Sequence, residues 1–276
     1  DLVGGNNNDT LKGGADDDRL WGQDGVDRIF GEHRNDQLIG GESDDFLSGG
    51  WGADQLWGQA GKDGLFGGQG GDTVNSGSGA DRILSWQTGA GNTDPDTMVN
   101  QSSADATVIF RNSQSELTNS LGTYLPQAWT HSDIERLDAA LSVLHQQSPE
   151  TELVKQGNGN DYVFIRHGGD ARGFFQGGDI HLTNMQFDNG ENWLRGYTLH
   201  EIGHAWQGIG DLWVDFLATE DGLISSYAAT NDNENFAETF SGYFADKAGW
   251  DFYNGTKTID DVPEKKAAFD TFLASL

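Results

Sequence analysis

Residues 198–206 read Thr-Leu-His-Glu-Ile-Gly-His-Ala-Trp, which sets His200, Glu201 and His204 in the spacing H-E-x-x-H. On a helix, positions i and i+4 share a face, so both imidazoles can reach one Zn²⁺. Glu201, next to the first histidine, can accept a proton from a water polarised by that metal. Zinc lowers the pKa of such a water from 15.7 to about 7. Ile202 is expected to face a core, and Gly203 to let a neighbouring element approach closely. Two packed helix histidines would give the same five letters, so the pattern needs a third ligand. Asp211 and Asp215 lie just behind the helix end. Glu234 and Glu238 lie further on. As an i,i+4 pair they share a helix face, where like charges repel unless something positive sits nearby.

A second set of carboxylates fills the first third of the chain. Read from Gly4 in steps of nine, the residues are GGNNNDTLK, GGADDDRLW, GQDGVDRIF, GEHRNDQLI, GGESDDFLS, GGWGADQLW, GQAGKDGLF, GGQGGDTVN and SGSGADRIL. The sixth place is always Asp: Asp9, Asp18, Asp27, Asp36, Asp45, Asp54, Asp63, Asp72 and Asp81. The eighth is always aliphatic: Leu11, Leu20, Ile29, Leu38, Leu47, Leu56, Leu65, Val74 and Ile83. The segment resembles the calcium-binding repeats of the RTX (repeats-in-toxin) family, G-G-x-G-x-D-x-U-x. The resemblance implies a parallel β-roll that binds Ca²⁺. The chemistry agrees, because carboxylate and carbonyl oxygens presented from flexible turns suit calcium rather than zinc. The aliphatic residue points inward and stacked turns bury a thin apolar column. Without calcium the carboxylates repel one another, so the roll is expected to be largely unfolded. The second glycine is replaced by Gln23, Glu32 and Gln59, and the fourth place holds Asn7, Asp16, Arg34 and Ser43. His33 and Arg34 make the fourth unit a poor calcium turn, and the last four units follow the pattern best.

The segment ISSYAATNDNENFAETFSGYF, residues 224–244, bears on the third zinc ligand. A serralysin-like metzincin, which also has RTX repeats, would need Gly at 207 and His at 210. The chain has Gln207 and Gly210, and its two methionines, Met98 and Met185, precede the helix where a Met-turn should follow it. Instead, S-Y, then T-N, then E-x-F-A-E-x-F, together with H-E-x-G-H, resemble the anthrax lethal factor catalytic domain and the bacterial Pro-Pro endopeptidases. The resemblance covers some 45 residues. It implies that Glu234 is the third zinc ligand and Tyr227 a catalytic tyrosine whose phenol donates to the developing oxyanion. It also implies that Glu238 accepts a hydrogen bond from a ligand histidine.

These residues need elements to hold them. Helical spacing predicts helices at His131–Gln147, around Trp193–Gly208, around Asn233–Ala245 and at Glu264–Leu276. Phe236, Phe240 and Phe244 would anchor the third of these. Strands are expected at Thr107–Phe110, in ELVKQ and DYVFIRHG around a turn at Gly157–Asn160, and from Gly177 with Ile180, Leu182 and Met185 alternating. GDIHL is expected to be the edge strand that lines the cleft and pairs with an extended substrate. His167 and His181 read as strand-end histidines, and Trp193, Trp206 and Trp213 as packing residues. Ser85–Ser103 reads as a turn-rich junction. The organisation expected is a β-roll at 1–86, a junction at 87–123 and an α+β zincin domain at 124–276.

Composition narrows the class. The 276 residues include 44 acidic and 16 basic groups, net −28, with a mean hydropathy of −0.59. Residues 1–86 are net −10 and 87–276 net −18, so calcium offsets the first part only. Such acidity argues against a nucleic-acid partner, and no apolar run is long enough to span a membrane. Zero cysteine excludes disulfide scaffolds and thiol catalysis. The opening inside a motif reads as a mature or trimmed chain. The function expected is a secreted, extracellular bacterial zinc metalloendopeptidase with bound Zn²⁺ and Ca²⁺, acting on a peptide or protein. The alternatives are a protease selective for one host protein, and a calcium-dependent surface module with a non-catalytic zincin-like domain.

Overall fold

The computed structural model describes residues 1–276 apart from 88–95, 100–104, 114–115, 120, 148–152, 154–155, 157–159, 170, 208–209, 221–222, 224–226 and 251–257. The side chains of Asp211 and Tyr227 also fall outside it. So do most of ELVKQ, of the Gly157–Asn160 turn and of the Ser85–Ser103 junction. The chain forms two compact units, Asp1–Gln114 with Ala128–Glu135, and Ser115–Gln127 with Arg136–Leu276.

The first unit is a parallel roll of two sheets. One sheet contains β1 (Leu2–Asn6), β3 (Arg19–Asp24), β5 (Gln37–Glu42), β7 (Gln55–Ala60), β9 (Thr73–Ser78) and β11 (Thr97–Val99). The other contains β2 (Thr10–Gly14), β4 (Arg28–His33), β6 (Phe46–Trp51), β8 (Gly64–Gln69), β10 (Arg82–Gln87) and β12 (Ala106–Asn112). Within the repeats each strand pairs in register with the strand 18 residues on, so Leu20 lies beside Leu38, and Ile29 beside Leu47. The eighth-place residues from Leu11 to Val74 form one buried column, extended by Leu2 and Met98. Burying each such side chain contributes about 1.5–3 kcal/mol.

The parallel ladder continues past residue 86. β11 pairs with β9 and β12 with β10, although the nonapeptide period stops after the ninth unit. At the weaker repeats, Gln23, Glu32, Arg34, Ser43 and Gln59 keep the left-handed backbone of the glycines they replace, with φ between 74° and 84°. Each such residue costs of order 1–3 kcal/mol.

The second unit combines helices with a small mixed sheet. β13 (Leu117–Asn119) and β14 (Gly122–Pro126) form a hairpin, and β14 runs antiparallel to β15 (Tyr162–Gly168). β15 pairs in parallel with β17 (Asp179–Leu182), which pairs on its other side with antiparallel β16 (Phe174–Gln176). This corrects the expected edge: GDIHL lies inside the sheet, and β16 takes the outer place. The strand also stops before Met185. Thr183 and Gln186 form a capping box, which turns Asn184–Asp188 into the short helix α2.

Helix α1 (His131–Gln147) begins in the first unit and continues in the second. α3 (Glu191–Trp206) and α5 (Asp232–Lys247) bear the motif residues, and α4 (Gly210–Leu217) and α6 (Pro263–Ser275) accompany them. Phe236, Phe240, Phe244 and Phe269 are fully buried, as the spacing of the first three predicts. Trp206 is buried and donates to the Tyr162 hydroxyl at 2.7 Å, whereas Trp193 is 37% exposed and rests its ring against Tyr197 at 5.5 Å. No helix among the described residues is long and apolar enough to cross a membrane.

Candidate metal centres

The aspartates form two ladders, one on each edge of the roll. In each, Oδ1 accepts the backbone N–H of the aspartate 18 residues earlier: Asp45 accepts from Asp27 at 2.8 Å, and Asp54 from Asp36 at 2.7 Å. Oδ2 is left for another partner. In Asp27, Asp36, Asp45, Asp54, Asp63 and Asp81 it is buried and accepts no hydrogen bond. A Cβ built on Gly22 would lie 2.2 Å from Asp27 Oδ2 and 2.6 Å from the Gly40 carbonyl oxygen. The same convergence recurs at Gly31, Gly40, Gly49 and Gly58. Carboxylate and carbonyl oxygens thus meet over a bare glycine, a donor set that fits Ca²⁺.

Burial, reinforced by neighbouring aspartates and opposed by the ladder hydrogen bonds, raises the Asp45, Asp54 and Asp81 carboxyls to about 7. The same balance raises Asp63 to about 8. Asp9 and Asp18, near the start, are partly exposed.

Sequence reasoning missed two members of these ladders. Asp72 N–H donates to Asp96 Oδ1 at 3.0 Å, and Asp81 N–H to Asp105 Oδ1 at 3.1 Å. The step here is 24 residues, where Asp63 to Asp81 is 18. Asp96 and Asp105 are themselves nine apart, so the period resumes after an insertion; searching for aspartates in a shifted phase would have found them.

In the second unit, His200 and His204 occupy successive turns of α3. Their Nε2 atoms are 3.2 Å apart. Glu234 Oε2 lies 3.3 Å from His200 Nε2 and 3.4 Å from His204 Nε2. Zinc bonds of about 2.0–2.2 Å in a tetrahedron place donor atoms about 3.3–3.6 Å apart, so this triangle is close to one face of a zinc site. His200 Nδ1 is 3.1 Å from Glu238 Oε1, and His204 Nδ1 is 2.9 Å from Gln207 Oε1. Both acceptors draw a proton to Nδ1 and turn the Nε2 lone pairs toward the shared point. Among the described residues this is the one cluster of His, Asp and Glu donor atoms so converged.

Local structure places each group. Asn231 caps α5 by accepting the Glu234 N–H at 3.0 Å, which fixes Glu234 in the first turn. Glu238 follows one turn later, opposite the other nitrogen of His200. Gly203 allows the contact: a Cβ there would come within 2.9 Å of Ala237 Cα. Burial disfavours a charged His200, but hydrogen bonds to Glu234 and Glu238 hold it up at about 10. Burial likewise opposes ionising Glu234, yet the two imidazoles hold its carboxyl well below the usual range. The cluster therefore favours positive charge between these groups.

Glu201 is 3% exposed, and its Oε2 accepts no hydrogen bond. Burial pushes its carboxyl up, against the pull of His200 and His204. It lines the same cavity, about 290 Å³, as the three candidate ligands. Arg172, Phe174, Phe175 and Tyr197 form its other walls. Tyr197, three residues before His200 on one helix face, and Gln207 were not singled out from the sequence as site residues; i±3 spacing from the histidines is the signal for both. The backbone of Tyr227 opens a 3-10 turn, Tyr227–Thr230, ahead of α5. Asp215 is not part of the cluster. His167 Nε2 lies 2.8 Å from His181 Nδ1, so these two histidines pair with each other.

Residues 3–32, 34–65 and 61–83 match the family model of the RTX calcium-binding nonapeptide repeat (4 copies). The chain therefore carries calcium-binding RTX repeats in a parallel β-roll, followed by a mixed helical unit. No curated protein and no solved structure matches the chain.

Proposed function

We propose that the chain is a secreted bacterial zinc metalloendopeptidase whose β-roll binds calcium. The observation that carries this reading is the His200–His204–Glu234 triangle beside buried Glu201 in one cavity. The resemblance of the H-E-x-G-H helix and of 224–244 to the lethal factor catalytic domain and the Pro-Pro endopeptidases supports the same assignment.

His200 and His204 would hold zinc through Nε2, with Glu234 as third ligand and Glu238 and Gln207 fixing the two rings. When bound, zinc supplies a Lewis acid that polarises a carbonyl and makes water nucleophilic near neutral pH. Glu201 Oε2 takes a proton from the attacking water and returns it to the departing amine nitrogen. Tyr227 donates to the developing oxyanion. An extended peptide adds to the outer edge of β16, whose start lines the cavity with Phe174 and Phe175.

The test is cleavage of a diverse peptide library, read by mass spectrometry, with calcium and zinc present. Wild type is expected to cut, and Glu201→Gln to retain zinc and lose activity by several orders of magnitude. Equal cutting by the two proteins would overturn the mechanism. A digest of mixed proteins run alongside separates a broad protease from one selective for a single protein.

A further inference from the structure

The first unit contains a cavity of about 310 Å³ that lies apart from the aspartate ladders. Small residues form its floor. Ser48 sits on β6 where the equivalent positions of β4 and β8 hold Phe30 and Phe66. The first turn of α1 covers one side, with His131 donating from Nε2 to the Gly50 carbonyl at 2.7 Å. Glu135 Oε1 accepts from Ser48 Oγ at 3.0 Å. Trp51 stands at the rim, 51% exposed, with the His131 ring 5.4 Å away and the His33 ring 6.4 Å away. Lys12 Nζ and Glu32 Oε1 form a loose pair at 3.6 Å on another side.

The fourth repeat breaks its own pattern at this place. Glu32 stands where the second glycine belongs, at φ 77°, and Arg34 where the fourth-place glycine belongs, at φ 74°. Non-glycine residues held in this conformation cluster at functional sites. Here Glu32 lines the cavity beside His33.

We propose that this cavity binds a neutral pyranose sugar, stacked on Trp51 and hydrogen-bonded to Glu135, Ser48 and Lys12. A half-exposed indole gives a flat apolar platform with few rotamers to freeze. Around it stand acceptors (Glu32, Glu135), a donor (Lys12) and hydroxyls that do both (Ser48, Ser132), the mixture that a ring of hydroxyl groups satisfies. A chain of net charge −28 repels an anionic ligand, and the one ammonium in the pocket already faces Glu32. Lys12 and Arg28 offset the Glu135 charge, which weakens the claim of an organic cation. The inference is independent of the peptidase reading.

The test uses the calcium-loaded full chain, titrated with the methyl pyranosides of glucose, galactose, mannose and N-acetylglucosamine. Tetramethylammonium is the competing probe. Tryptophan fluorescence and calorimetry read the binding. At least one pyranoside is expected to bind with Kd of about 0.1–1 mM, in the weak range for a small ligand. Trp51→Ala should weaken it about tenfold or more, as loss of an aromatic anchor does. Glu135→Gln should weaken it with the fold intact by circular dichroism, and Trp57→Ala, on the other sheet, should leave it unchanged. Three outcomes would overturn the proposal: no pyranoside binding up to about 20 mM, affinity that survives Trp51→Ala, or binding of tetramethylammonium alone.

Discussion

Gly203 packs against Ala237 so closely that a Cβ on the glycine would meet Ala237 Cα at 2.9 Å and Phe240 Cβ at 3.1 Å. This contact brings the histidine face of α3 up to Glu234 and Glu238 on α5. Ser241 Oγ, which donates to the Gly196 carbonyl at 2.8 Å, ties the same two helices further along. The candidate zinc site is thus a consequence of helix packing as much as of its ligands.

Gly203→Ala tests that dependence. Overpacking costs about 1–3 kcal/mol and forces the helices apart. The expected result is a lower melting temperature together with weaker zinc retention in a chelator titration. Unchanged zinc affinity would mean that the helix spacing does not set the site.

Glu234 and Glu238 should differ in kind. Glu234→Ala removes a donor atom and is expected to abolish stoichiometric zinc binding. Glu238→Gln removes only the acceptor at His200 Nδ1 and should cost about 10–100-fold in affinity. Zinc content by atomic absorption and competition with a chromophoric chelator separate the two. The opposite ranking would exchange their roles.

The metal-free roll should lose stability as pH rises. Asp45, Asp54 and Asp81 titrate at about 7 and Asp63 at about 8 when folded, against an ordinary 3.8. The folded state therefore binds protons more tightly than the unfolded chain. Its contribution is complete below about pH 4 and is lost as pH rises through about 7–8. Calcium competes with protons for the same oxygens, so its stabilisation should grow over that range. Circular dichroism melts of calcium-free protein at about pH 5.5 and 8 check the sign. A higher metal-free melting temperature at the alkaline end would contradict it.

Asp96 and Asp105 should behave as ladder members despite lying outside the nine repeats. Asp96→Ala leaves the Asp72 N–H without its acceptor at the end of one ladder. The calcium concentration for half-maximal folding is expected to rise. Glu116→Ala, elsewhere in the chain, serves as the control for lost negative charge.

Much of this molecule is legible in its residues because the information is periodic or local. An aspartate every nine residues and an aliphatic two places later dictate a stacked roll, since stacking buries the second set while aligning the first. H-E-x-x-H puts two imidazoles on one helix face by helical geometry alone. The cap at Asn231 is likewise a local property. What the tertiary structure decided concerns groups that are distant in sequence. Insertion before Asp96 hid the last rungs, because register between strands is set by pairing rather than by counting residues. β17 acquired a second neighbour in β16, because three residues of strand carry too little pattern to announce themselves. Which of Glu234 and Glu238 lies beside His200 Nε2, and which beside Nδ1, rests on how α5 packs against α3. Residues on one helix face are equivalent until another helix packs against them, and here a missing side chain at Gly203 sets where that helix lies.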